Sequence, residues 1–392
     1  MLTRKQFLGW SAGALTLPVL DAWAAESPGR SDGRLIVIFL RGGLDGLFAV
    51  SPVSDPRLAE LRPTLSRSAV NEGLRLGGTG FAAHPAFKAV ADLYAASELA
   101  FAPCAGTTDT SRSHFQAQDM FELGTGATHG PTGFMARAAD LLGQGRGAIS
   151  FTREVPLAFQ GGDSVPQVAP LSGSGLRLPP GRLLEAIRSA HRGQRTGEAL
   201  EQAIATEAEI ESAMTMAMEV QAARGAPGAG TFSRMAGTMA QVLRNNPRLT
   251  LAFLDLGGFD THANQEAILA RGLGDLGAGL LALKTALGEE EWRRTRVVVM
   301  SEFGRTAREN GTRGTDHGHG GLMLLAGGSV RGARMVGDFA GLDDSRLNDA
   351  RDLPVLVDWR SVLAACMDDA FGMNAAALDL IFPGRPRQRL AL

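Results

Sequence analysis

Five short apolar runs, each next to a polar loop and three of them next to a glycine-rich one, constrain this chain more than any other feature. Leu35-Ile36-Val37-Ile38-Phe39-Leu40 empties into Arg41-Gly42-Gly43-Leu44-Asp45-Gly46, and Glu98 to Pro103 into the loop Thr107 to Ser113. Leu249 to Leu254 runs into Gly257-Gly258-Phe259-Asp260-Thr261-His262, and Arg296 to Met300 into Ser301-Glu302-Phe303-Gly304-Arg305. The fifth run, Leu322 to Ala326, instead follows its loop, Gly314 to Gly320. Continuous β-branched runs without alternation predict strands buried on both faces. Helical segments lie between several of them, which is the pattern of an α/β protein with a doubly wound, largely parallel sheet. In such a sheet the carboxyl ends of parallel strands share one edge, where ligands bind. Loops far apart in sequence are therefore expected to converge.

The 392 residues are 44% hydrophobic and 20% charged, enough apolar material for one large core. We read residues 33–386 as a single domain with a helical insert at about 182–245, where Ala, Glu, Met and Gln dominate. Ser113 and Gln116 predict a capping box at the helix after the second loop. A net charge of -2 argues against a nucleic-acid partner. The two cysteines, Cys104 and Cys366, sit in apolar contexts and read as two buried thiols.

Residues 1–25 read as an export signal. Arg4 and Lys5 start it, the apolar run Phe7 to Leu20 is too short for a membrane span, and Ala22-Trp23-Ala24 supplies a cleavage pattern. Arg4 to Leu8 resembles a twin-arginine signal with Lys5 as the second basic residue; an ordinary Sec signal is the alternative. The expected location is periplasmic or secreted, with the export machinery as a partner and no stable membrane span after cleavage.

The sharpest chemical signal is Asp316-His317-Gly318-His319, with three ligand-type side chains in four residues. Imidazole with carboxylate suits zinc or manganese better than calcium. His262, His317 and His319 are three of seven histidines, and all lie in glycine-rich loops beside expected strands. Asp260 and His262, two apart, point to one side if extended; Asp260 also reads as a helix cap. Asp45 reads as a ligand or as a turn residue bonded to its own backbone. Glu302 follows a strand as a further ligand, or pairs with Arg305. Ser113 is a nucleophile candidate or a cap, with His114 orienting it or packing nearby.

Together these motifs, with Ser111-Arg112-Ser113-His114-Phe115-Gln116-Ala117-Gln118, resemble domain-of-unknown-function family 1501 over about residues 33–384. That family is similar to the alkaline phosphatase and sulfatase superfamily, and the resemblance implies an alkaline phosphatase-like fold. It also implies one or two divalent ions held by Asp45, Asp260, His262, Glu302 and His317 or His319, with Asp316 or His317 covering a missing ligand. Ser113 or Ser111 takes the nucleophile's place, and Arg41, Arg112 or Arg305 would hold the anion of a phosphate or sulfate ester substrate. The departures are Phe303 where the superfamily has histidine, a short Asp260–His262 spacing, and an unfamiliar serine motif. The leading expectation is a metal-dependent hydrolase of phosphate or sulfate esters; Phe303 and the serine motif speak for the alternative of an inactive exported binding or assembly protein.

Overall fold

The computed structural model describes residues 32–168 and 231–390, apart from 108, 144, 145, 153, 165 and 389, and residues 181–204 in part. The export signal and the middle of the expected helical insert, residues 205–230, lie outside the described residues. Eight strands form one sheet in the order β11-β5-β10-β9-β1-β8-β6-β7. They are β1 Arg34–Leu40, β5 Leu99–Gly106, β6 Gly147–Ser150, β7 Gln167–Val168, β8 Leu249–Leu256, β9 Thr295–Ser301, β10 Gly321–Ala326 and β11 Val357–Asp358. A small antiparallel sheet has β4 (Phe81–Ala83) between β2 (Val50–Ser51) and β3 (Leu74–Leu76).

β1 is buried along its whole length and pairs in parallel with β8 and β9. Alternation sends its side chains to two cores. Ile36, Ile38 and Leu40 pack with Leu273, Leu280 and Trp292 of the helix Gln265–Arg293 and with Met239 and Leu243 of the helix Thr231–Asn245. Leu35, Val37 and Phe39 pack on the opposite face with Phe121, Trp359 and Met367. The helix Thr231–Asn245, placed by the sequence at the tail of an insert, thus belongs to the main core. Among the described residues no helix is long and apolar enough to cross a membrane.

Strand direction differs from a uniform parallel sheet at one place. β10 runs antiparallel to both β5 and β9. It therefore begins at the edge where its neighbours end, so the residues before β10 join the residues after β1, β5, β8 and β9. β5 is also longer than the apolar run predicts and carries Pro103 inside it. Pairing skips from Leu322↔Pro103 to Gly321↔Ala105, leaving Cys104 as the extra residue of a bulge with φ 51°. A bulge accommodates a proline that has no N–H to pair.

Both cysteines are free and buried, as their contexts predict. Burial pushes the Cys104 thiol up to about 11 and the Cys366 thiol up to about 12. Neither is expected to react with a thiol reagent in native protein at pH 8, and both should titrate once denaturant is added. Fast native labelling would contradict their placement.

Candidate metal centre

The loop after β1 is shaped by two glycines. Gly42 has φ 118° and Gly43 φ 72°, conformations L side chains rarely adopt. A Cβ on Gly42 would sit 2.4 Å from the Asp260 nitrogen, and one on Gly43 would lie 2.6 Å from the Phe303 ring. The backbone N–H groups freed by this turn donate to Glu302, at 2.9 Å from Gly42 and 3.2 Å from Gly43. Gly42→Ala is accordingly expected to lower stability by at least about 2 kcal/mol, measured by denaturant unfolding. An unchanged midpoint would refute the close approach.

Glu302 is fully buried and faces backwards, away from the open edge. Besides the two glycines, its carboxylate accepts from His114 Nδ1 (2.7 Å), Gln118 Nε2 (2.8 Å) and Ser301 Oγ (2.8 Å). Burial alone would raise its pKa, but the bonds from His114, Gln118 and Gly42 outweigh that and hold it at about 2. The acid read from sequence as a ligand is instead a clamp on His114.

His114 opens the helix His114–Leu123. Its Nδ1 must donate to the ionised Glu302, which leaves Nε2 as the bare nitrogen; that atom is buried without a hydrogen-bond partner and lies 3.5 Å from Asp260 Oδ2. The Glu302 bond, against the effect of burial, raises His114's pKa and so its strength as a donor to a cation. His317 is held the same way, through Nδ1 to the Arg112 carbonyl at 2.9 Å. His262 Nδ1 lies 3.3 Å from Asp316 Oδ1. Each imidazole thus has an acceptor fixing Nδ1 as the protonated nitrogen and turns Nε2 inward.

The inward atoms meet. His262 Nε2 is 3.0 Å from His317 Nε2 and 2.9 Å from Asp260 Oδ1, which is 3.4 Å from His317 Nε2. The ligand atoms of His114, Asp260 and His317 all lie within 4.8 Å of one another. Acceptors facing acceptors need a cation between them; the Arg305 guanidinium supplies one to Asp260 Oδ1 and lies 3.5 Å from His262 Nε2, and the remaining Nε2 atoms call for a proton or a metal. A tetrahedral zinc ion with bonds of about 2.0–2.1 Å separates its donors by roughly 3.3–3.4 Å. Asp260 lies 2.9–3.5 Å from the three imidazole nitrogens, near that value, and His114, Asp260 and His317, with donor atoms within 4.8 Å of one another, are the set that could hold one ion. The donor chemistry and the spacing both fit.

Phe303 stands where a histidine was expected, and its role is packing. Its ring centroid is 4.8 Å from those of both His114 and His317, and it is 5% exposed. Arg305 is a staple. Its guanidinium donates to the carbonyls of Gly42, Gly43 (2.7 Å), Phe259 (3.2 Å) and Thr315 (2.9 Å) and to Asp260 Oδ1 (2.5 Å). Those bonds, against the effect of burial, keep Asp260's pKa below its ordinary value.

Other sequence candidates take different places. Asp45 caps a short helix through the Phe48 N–H and pairs with buried Arg62 (2.8 Å) and Gln265 (2.6 Å), so its carboxylate is directed away from the cluster. Asp316 supports His262 rather than joining the donors directly. His319 bonds Asp352 through Nδ1 (2.5 Å), and its Nε2 is buried without a hydrogen-bond partner. All three Arg41 side-chain nitrogens are committed, to Asp255 (2.6 Å), Gln118 (2.7 Å) and Glu122 (2.9 Å). Arg112 reaches Asp352 at 3.2 Å and keeps Nε without a hydrogen-bond partner. Ser111 donates to Asp109 Oδ2 (2.7 Å) and accepts from the Ser113 N–H. Ser113 holds the N-cap position, but its side chain makes no capping bond, so the expected capping box is absent. The helix Gln265–Arg293 starts from Asn264, not from Asp260.

A search of curated proteins finds no match. Among solved structures, a crystal structure of Ps i-CgsB in complex with k-i-k-neocarrahexaose is similar over 78% of this chain and 68% of that one, with 13% identity and a TM-score of 0.34. Residues 106–382 match the family described as "Protein of unknown function (DUF1501)", and they include six strands of the main sheet and all four inward donors. The chain belongs to that family.

Proposed function

We propose that this protein is a metal-dependent hydrolase of phosphate or sulfate esters, with one divalent ion, zinc or manganese, held by His114, Asp260, His262 and His317. The observation that carries the reading is the convergence of three imidazole Nε2 atoms on one carboxylate, each ring held from behind. A divalent ion there would supply a Lewis acid that neutralises ester oxygens and activates an oxygen nucleophile.

The chain's own groups divide the remaining work. Arg305 and Glu302 fix the donors and are shielded from substrate. Arg112, part-exposed beside the centre with its own carbonyl on His317, is the arginine suited to an ester oxygen, its Nε being buried and without a hydrogen-bond partner. Ser113, with a hydroxyl free of capping and next to His114, is the serine candidate for attack. The residue types at the open edge match an anionic ester better than a neutral amide, because cation and guanidinium gather where negative charge would lie.

Metal-replete mature protein is expected to hydrolyse a generic aryl phosphate or sulfate and to lose turnover on chelation, regaining it when zinc or manganese returns. Turnover of neither ester by protein shown to hold its metal would sink the hydrolase reading and favour an exported binding protein.

A further inference from the structure

Phe115 is the most exposed large apolar side chain among the described residues, at 83%; the next reaches 54%. It directly follows His114 in the first turn of the helix His114–Leu123. Helical periodicity fixes its side. Gln118 and Glu122 lie three and seven positions on, along the same flank. Both bond Arg41, and Arg41 bonds Asp255 near the end of β8. The next residues, Gly257 and Gly258, are exposed, with no atom within 4 Å of where a Cβ would stand, and they lead into Asp260. Phe115 therefore heads the helix flank that Gln118 and Glu122 tie through Arg41 to the end of β8, one residue from His114.

A phenylalanine left in water at the rim of a polar centre forgoes the burial that stabilises every other phenyl ring on this face of the sheet. We infer that Phe115 is a stacking platform for a flat, apolar-faced ring next to the ester. The substrate then carries an aryl or sugar-like ring rather than a short alkyl chain. This rests on the proposed ester site, since it assigns what is attached to the anion held there. Continuity with the donor helix favours substrate over a partner protein, because the ring is one residue from a donor and 83% exposed.

Two non-hydrolysable probes separate this inference from the hydrolase reading. Calorimetry on zinc-loaded protein should show phenylphosphonate binding roughly tenfold tighter than methylphosphonate. Phe115→Ala should erase that ratio, Phe115→Trp should keep it, and metal content should stay the same in all three. Aryl ester turnover, where present, should lose affinity in KM more than in kcat. An unchanged phenyl-to-methyl ratio in Phe115→Ala, or no phosphonate binding by metal-loaded wild type, overturns the platform. A dimer that dissociates in Phe115→Ala, seen by light scattering with the ratio unaltered, assigns the ring to a second copy and overturns it as well. Failure to hydrolyse esters while the ratio behaves as stated would defeat the hydrolase reading alone.

Discussion

Asp260→Ala is expected to lower zinc affinity at least about a hundredfold, whereas His319→Ala changes it by less than about tenfold. Asp260 is the one anionic donor of the four, and its Oδ1 lies within 2.9–3.4 Å of two imidazole nitrogens. Its loss leaves three neutral rings to hold a dication. The fold should survive, because Arg305 keeps its bonds to the carbonyls of Gly42, Gly43, Phe259 and Thr315. His319 turns toward Asp352 and touches the donors only through Arg112, which bonds Asp352 and offers its carbonyl to His317. Equilibrium titration against a competing chelator reads both variants. Equal affinity losses, or the larger loss in His319→Ala, would mean that the wrong histidine has been placed at the centre.

Glu302→Ala is the second large effect, and it falls on stability first. The substitution strands the buried N–H groups of Gly42 and Gly43 and the part-buried Gln118 amide and His114 Nδ1. Losing the charged acceptor of several buried donors costs about 3–5 kcal/mol, enough to be plain in a denaturant midpoint. Glu302→Gln keeps the shape and one acceptor oxygen, so it should retain most of the stability. Its amide also offers donors where His114 needs an acceptor, so zinc affinity should still fall roughly 10–100-fold. A glutamine variant with full metal affinity would show Glu302 to be structural only.

The strands were legible because a buried parallel strand needs nothing beyond an unbroken apolar run, and Leu35 to Leu40 states that directly. Convergence of the loops followed from topology. The direction of β10 was not legible, since hydrophobic runs carry no sign of polarity along the chain. That direction nevertheless brings Asp316 and His317 to the shared edge. The meeting of Asp260, His262 and His317 was legible, because polar ligand-type side chains cluster locally at the strand-end loops that carry them. His114 was read as a companion of Ser113, because its partner Glu302 is 188 positions away. The available signal was a histidine in the first turn of a helix fed by a strand-end loop. Asp45 and Glu302 look like ligands in sequence because a strand-end acid reads alike whether it faces the edge or turns back. Buried Arg62 and Gln265, 17 and 220 positions from Asp45, decide the first case, and the Gly42 and Gly43 amides decide the second.

X-ray absorption on zinc-loaded protein tests the central claim most directly, because it counts donors around the ion without requiring a substrate. One tightly held ion per chain is expected, with about three imidazole nitrogens and a carboxylate oxygen at about 2.0–2.1 Å. A sulfur contribution, a shell with a single imidazole, or no stoichiometric binding would contradict it.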